Sequence, residues 1–315
     1  MKAKWLGILV ILAGCASGPL PAQEAIDEQR DVSADERIIL EVMRGDVEII
    51  AHNRNEFSVQ GTLDELAEGF ILESSGGTTR FEVKMPRRVS SGGWRNQEES
   101  ELVILVPVGA RVSLTGVNVD VTAEGIEGMT KVETVNGDVT GMGLKNQVDL
   151  STINGDIEIS GSSGDIELGT VNGEIEDIDS TGSASYSSVN GDIVSTSRAQ
   201  TVKAETVNGE IEMTLAHAEE VEAQSVGGEV TLELGNPSVN LDASTVHGEI
   251  HVKFAQNLSA KFEINTHGGD IENRLTNDEV SRDRYGPGRS LEFTVGSGTG
   301  RVQLDSVNGE IVVRN

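Results

Sequence analysis

Carboxylates recurring at a fixed spacing are the first chemical feature of the chain. Val135-Asn136-Gly137-Asp138 is followed by Ile153-Asn154-Gly155-Asp156, Val171-Asn172-Gly173-Glu174, Val189-Asn190-Gly191-Asp192 and Val207-Asn208-Gly209-Glu210, each 18 residues after the last. Looser copies end in Glu229, Glu249 and Asp270, and a final one in Glu310. Carboxylate oxygens are the ligands calcium prefers, which makes Asp138, Asp156, Glu174, Asp192 and Glu210 weak calcium candidates. The nine-residue glycine- and aspartate-rich calcium repeat is absent, and a solvated acidic face is the simpler reading. A retaining glycosidase needs two carboxyls about 5–5.5 Å apart. A stacked column offers that distance between all its neighbours, so it singles out no pair, and no catalytic residue is assigned. His247, Glu249, His251 and His267 are zinc-type ligands. However, His247 takes the Asn place of the repeat and His267 the Val place, so they point differently and no metal site is assigned.

Two basic patches interrupt this acidity. Lys84 to Arg95 holds Arg87, Arg88, Arg95 and Trp94, and Arg282, Arg284 and Tyr285 form a second patch. In an acidic chain these are the places that would attract an anionic glycan, a lipid headgroup or an acidic partner, with an aromatic beside the cations. Arg44-Gly45-Asp46 is an integrin-type triplet that the surrounding alternation places in a coil turn.

The elements that carry these residues follow from the same repeat. Two residues after each repeat glycine stands Val139, Ile157, Ile175, Ile193 or Ile211, and upstream stand Val148-x-Leu150, Ile166-x-Leu168 and Val202-x-Ala204. Apolar residues at i and i+2 are strand alternation. Asn-Gly between such runs reads first as a hairpin. A constant period with identical residues in register reads instead as stacked coils, each column lying over its own copy about 4.8 Å away. Asn136, Asn154, Asn172, Asn190 and Asn208 then form a structural amide ladder. Asn and Gly both tolerate positive φ, which would let the backbone turn at each corner. The expected fold is an all-β, single-stranded parallel β-solenoid (β-helix) with irregular N-terminal coils and cap. Roughly 14 coils would give a rod about 65 Å long. Asp64 to Ala67 reads as one helical turn, and Lys84 to Glu101 and Asn277 to Ser290 as excursions.

Composition agrees with this architecture. The 315 residues include 37 Gly and only 3% aromatics, which suits a narrow aliphatic interior. A formal charge of −28 leaves no basic footprint for nucleic acid. From Val132 to Val252 there are 22 acids and three bases (Lys145, Arg198, Lys203). One cysteine makes neither an internal disulfide nor a thiolate metal site.

The pattern resembles the putative-adhesin family of bacterial envelope β-strand-repeat domains, a family of unknown function. The resemblance rests on Gly45-Asp46-Val47-Glu48, Val106-Pro107-Val108-Gly109-Ala110, the Thr/Ser-Val-Asn-Gly-acid copies and the ending Ser297 to Ile311. It implies the solenoid fold and carries no catalytic residues over. At the other end, Lys2 and Lys4 precede a short apolar run, Trp5 to Leu12, too short to span a bilayer and read as a secretory signal. Leu12-Ala13-Gly14-Cys15 resembles the lipobox of bacterial lipoproteins, which implies cleavage before Cys15 and lipidation of its sulfur. Ala16 in place of the retention Asp then implies the outer membrane in a Gram-negative host.

The expected organisation is a lipoprotein signal peptide at 1–14, a lipidated Cys15 and flexible tether at 15–35, irregular N-terminal coils and cap at 36–131, and regular repeats at 132–315. The expected role is that of a non-enzymatic, lipid-anchored adhesin-like or scaffold protein of the cell envelope. Its expected partners are the membrane, through the anchor, and an envelope glycan or another envelope protein. The alternatives are an envelope-stress or sensory accessory lipoprotein that binds one membrane partner, and a polysaccharide-active enzyme on a β-helix.

Overall fold

A computed structural model describes residues 23–86 and 97–315 of the chain. All regular structure in these residues is strand: 27 strands joined in one mostly parallel sheet. No helix among the described residues is long and apolar enough to cross a membrane. The segment at Asp64 to Ala67 is a single turn closed by the Ala67 N–H on the Asp64 carbonyl, not a helical one.

Each regular repeat folds into one two-sided coil. A leading strand such as Ser163–Gly169 runs into the Thr-Val-Asn-Gly corner, and a trailing strand such as Ile175–Ile178 leaves it. Strands pair only with their counterparts in adjacent coils, in parallel and in strict register. Leading strands match Ile166 to Ala184 and Leu168 to Tyr186, and trailing strands match Ile157 to Ile175 to Ile193 to Ile211. The solenoid reading therefore holds and the hairpin reading does not. The side chains that alternate inward are buried in every layer, with Ile157, Ile175, Ile193 and Ile211 at 1% exposure or less. Each such aliphatic contributes roughly 1.5–3 kcal/mol on burial, and together they form one continuous core.

Layer order departs from chain order at both ends. The first strand of the coil stack, Arg37–His52, is long enough to form both sides of one layer. It is covered on one side by Arg111–Glu124, the next layer, and on the other by Thr78–Val83 and Ser100–Pro107. The chain thus leaves the first layer outward, builds the end of the rod, and returns. Antiparallel strands finish that end: Phe70–Ser75 on Thr78–Val83, Glu56–Thr62 on Ser100–Pro107, and Ala25–Asp31 on Glu56–Thr62. Within the segment expected to be a flexible tether, Ala25–Asp31 is a strand.

The C-terminal end mirrors this. After Asn240–Thr245 and Ile250–Phe254 the chain skips a layer to Ala260–Thr266 and Ile271–Asn273. It then caps them with the antiparallel Arg289–Val295. The last coil, Gly300–Ser306 with Ile311–Arg314, fills the vacant layer between the two. The final repeat copy is therefore the penultimate layer, not the terminal one. Stacked Phe262 and Phe293 (4.4 Å between centroids) close this end, with Phe254 edge-on to Phe262. Counted from Thr78–Val83 to Ala260–Thr266, the described residues make twelve layers rather than 14, a rod about 53 Å long.

Candidate functional site

The corner of the coil carries three adjacent outward columns that run along the rod, of which the acidic one continues through every layer. The first is aliphatic, with Val117, Val135, Ile153, Val171, Val189, Val207, Val226, Val246 and Val307 in spatial order. Their carbonyls accept the next layer's corner N–H; Asn172 bonds Ile153, Asn190 bonds Val171 and Asn308 bonds Val246, at 2.9–3.0 Å.

The second column is the amide ladder. Nδ2 of Asn208, Asn190, Asn172, Asn154 and Asn136 each donates to Oδ1 of the Asn one layer before, at 2.7–2.8 Å, ending on Asn118. Asn118 extends the ladder beyond the residues that the sequence pattern singled out. It lies in Val-Asn-Val-Asp, which lacks the glycine. In the layer before it the column position is held by Arg44, which is 4% exposed and ion-paired to Glu99 at 2.6 Å and Asp64 at 3.5 Å. The Arg-Gly-Asp triplet is therefore not displayed.

The third column is acidic in every layer: Glu101, Asp46, Asp120, Asp138, Asp156, Glu174, Asp192, Glu210, Glu229, Glu249, Glu310 and Asp270. Its aspartates have a local task. Oδ1 of Asp120, Asp138, Asp156 and Asp192 accepts the backbone N–H of the next layer's acid at 2.8–2.9 Å. That N–H points along the rod at the corner, where no ladder carbonyl meets it. A glutamate is one methylene longer, and among the described residues Glu174 and Glu210 accept no such bond. Partial burial, followed by the neighbouring charges of Asp156, Asp192 and Glu176, raises the Glu174 carboxyl above its ordinary range. At Asp46 burial acts first, then Asp120, Glu101 and Glu99. Among the described residues no three His, Cys, Asp or Glu side chains converge as a metal site. The calcium candidates thus lie along a line, with one oxygen each of Asp138, Asp156 and Asp192 engaged by backbone.

The corner also explains its glycines, and not through positive φ. None of the ladder asparagines has positive φ, and of the repeat glycines only Gly137 does. The cause is close stacking: a Cβ on Gly173 would stand 1.8 Å from the Gly155 carbonyl oxygen. A fourth column, missed in the sequence although spelled by its Thr/Ser before each Val, lies beneath. Thr152, Thr170, Thr206, Ser225 and Thr245 donate to the repeat-glycine carbonyl of the layer before, at 3.1–3.3 Å.

One polar group sits inside the core. Asp177 takes the column place of Ile159 and Ser195 and is fully buried. Tyr186, 1% exposed, donates its hydroxyl to Asp177 and lies 3.3 Å from Ser195 Oγ. Burial raises the Asp177 carboxyl, partly offset by hydrogen bonds from Ser180 and Tyr186. Burial and the adjacent carboxylate hold Tyr186 protonated.

Of the candidate residues in the two basic patches, only Arg282, Arg284 and Tyr285 lie among the described residues. Arg282, Arg284 and Tyr285 are exposed beyond the C-terminal cap, Tyr285 at 94%, with the Arg284 guanidinium 5.7 Å from its ring. Arg289 binds back onto Asp270 and the Gly269 carbonyl, the end of the acidic column. Arg87, Arg88, Trp94 and Arg95 lie outside the described residues, as does Cys15.

The profile of the Toastrack DUF4097 family matches residues 36–314, which is nearly the whole stack. The chain belongs to this family. Among solved structures, this Toastrack chain is similar to a putative adhesin from Parabacteroides distasonis (12% identity, TM-score 0.49, covering 74% of this chain and 98% of that one). It is also similar to a putative lipid binding protein from the same organism (12%, TM-score 0.43, 92% and 96%). A third is a putative adhesin from Bacteroides fragilis (15%, TM-score 0.38, 94% and 100%). No curated protein matches the chain.

Proposed function

We propose that this Toastrack protein is a non-enzymatic, lipid-anchored rod of the cell envelope that displays long rigid faces for adhesin-like binding or scaffolding. The observation that carries this reading is the corner, where an acidic column continues through every layer beside an aliphatic column from Val117 to Val307 and an amide ladder from Asn118 to Asn208. Such a surface offers the same chemistry repeatedly along its length, which suits extended partners. The carboxylates are distributed rather than convergent, and those of the aspartates serve the backbone of the next layer, which favours binding over catalysis. Cys15 supplies the anchor, and the two basic patches (Arg87, Arg88, Trp94 and Arg95 in one, Arg282, Arg284 and Tyr285 in the other) are the contacts for anionic glycan or another envelope protein. Pull-down of the full chain with fragmented cell envelope, together with protease accessibility in intact cells, tests the reading. Saturable envelope binding is expected. Turnover of an envelope polysaccharide, lost on substitution of one carboxylate, would replace the proposal with an enzyme.

A further inference from the structure

The aliphatic column is the surface feature that folding alone does not account for. Ile153, Val171, Val189, Val207 and Val226 stand one above another and Val307 follows beyond the half-buried Val246, the six each 37–45% exposed. Single exposed valines need no explanation, but these are contiguous. At about 60 Å² each the exposed members of the column make a patch on the order of 400 Å², the size at which monomer patches are commonly functional.

Towards one end the column becomes the wall of a groove. Val226, Val246 and Val307 stand on one side, and Glu205, Gln224 and Asp305 on the other, around a volume of about 510 Å³. The groove runs along the rod, across the coils. An occupant must therefore be extended and lie crosswise to the strands, with one edge apolar.

Charge decides what kind of chain that is. Glu205 and Asp305 line one wall, and beyond the valines stand Glu210, Glu229, Glu249 and Glu310 of the acidic column. Against them is Lys203, which bridges Glu205 and Glu222 at 2.8 and 3.5 Å. A second copy would bring the same carboxylates against these, and an anionic lipid surface would be repelled likewise. An uncharged glycan would find no aromatic platform among the valines.

We propose that the groove and the aliphatic column receive an extended segment of a partner protein in which aliphatic residues alternate with Lys or Arg. The inference rests on the display reading and names its partner class. Apolar side chains of such a segment lie on the valines while its cations reach the carboxylates on either side. In an extended chain same-side residues recur about every 6.8 Å, against a layer step of about 4.8 Å. Ten residues therefore span about seven layers, and a smooth aliphatic stripe tolerates the mismatch.

The probe is a fluorescently labelled (Lys-Val)5 peptide, titrated against the full chain by anisotropy. Controls are (Lys-Ser)5 and two variants, Val226→Thr/Val246→Thr/Val307→Thr and Glu205→Gln/Asp305→Asn. The expected result is at least ten-fold tighter binding of (Lys-Val)5 than of (Lys-Ser)5. The threonine variant should lose about ten-fold in affinity for (Lys-Val)5, and the amide variant should lose affinity together with part of its salt dependence. Equal binding of the two peptides by the wild-type chain overturns the inference, whether or not the variants fold. So does unchanged affinity in a folded threonine variant, a stripe-dependent dimer in sedimentation, or stripe-dependent binding to phosphatidylglycerol vesicles. The envelope pull-down separates this from the display reading. If wild type and threonine variant capture envelope equally, display stands and the groove assignment falls. If neither does, display falls while the peptide titration still judges the groove.

Discussion

Gly173→Ala is the sharpest test of how the corners are held. The added methyl would stand 1.8 Å from the Gly155 carbonyl oxygen, whereas ordinary contact begins near 3.4 Å. Relief requires the two layers to part locally by roughly 1.5 Å. At that opening the flanking bonds Asn172 N–H to Ile153 O and Ile157 N–H to Glu174 O, both 2.9 Å, are lost. Two backbone bonds at about 1 kcal/mol each, with overpacking of about 1–3 kcal/mol, give a loss of about 3–5 kcal/mol. Gly169, one strand earlier, has nothing within 4 Å of its virtual Cβ. Gly169→Ala should therefore change stability by less than about 1 kcal/mol, with a small gain through the unfolded chain. Urea denaturation of the three proteins measures the contrast. Gly173→Asn separates stacking from turn conformation: a turn that needed positive φ would accept Asn, whereas close stacking rejects it as strongly as Ala. A Gly173→Ala midpoint equal to wild type, or a tolerated Gly173→Asn, would refute the stacking account.

Further outcomes follow from other columns. Asn172→Ala removes two exposed amide bonds of 2.8 Å and should cost about 1 kcal/mol in urea denaturation; a loss below about 0.3 kcal/mol would reduce the ladder to decoration. Asp177 has a raised carboxyl in the folded state, so its stabilising contribution is complete below the ordinary Asp range near pH 4 and is lost as pH rises through the folded value. Asp177→Asn should therefore flatten the decline of melting temperature between pH 4 and 7, and parallel pH profiles would contradict the burial argument. Raising salt from 0.1 to 1 M shrinks the screening length from about 10 to about 3 Å and should raise the melting temperature at pH 7 by several degrees; a fall would mean that the acidic column does not repel itself. Metabolic palmitate labelling should be lost in Cys15→Ser, and retained label would place the anchor elsewhere.

Much of this was legible before the structure, because a solenoid writes each column into the sequence at one period. The Ile157–Ile175–Ile193–Ile211 core column and the Val-Asn-Gly-acid order appear in the stack as they do in the chain. Layer order was not legible. The copy at Val307 specifies its column, since Ser306, Val307, Asn308 and Gly309 must fall where their neighbours do, but nothing in it specifies a layer. It could sit beyond His267 or beneath it, and the antiparallel Arg289–Val295 takes the outer place instead. The order of the first layers was hidden for the same reason, since Thr78–Val83 and Ser100–Pro107 stack outside Arg37–His52 before Arg111–Glu124 returns to its other side. Asn118 and Asp120 escaped notice because Val119 replaces the glycine between them, and Asp177 because a carboxylate at an inward position looks like another surface acid. The glycine rationale differed because a local preference for turns says nothing about a carbonyl 18 residues away.

The central claim is a stack of in-register parallel layers with the C-terminal coil inserted next to last. Cysteine cross-linking in a Cys15→Ser background tests it directly. Ser244 pairs with Asp305, and Asp305 with Asn265, so Ser244 and Asn265 lie two layers apart. On mild oxidation, Ser244→Cys with Asp305→Cys, and Asp305→Cys with Asn265→Cys, should each form an intramolecular disulfide, while Ser244→Cys with Asn265→Cys should remain reduced. A bond in the last pair and none in the first would put the layers in chain order. The absence of all three would contradict the stack itself.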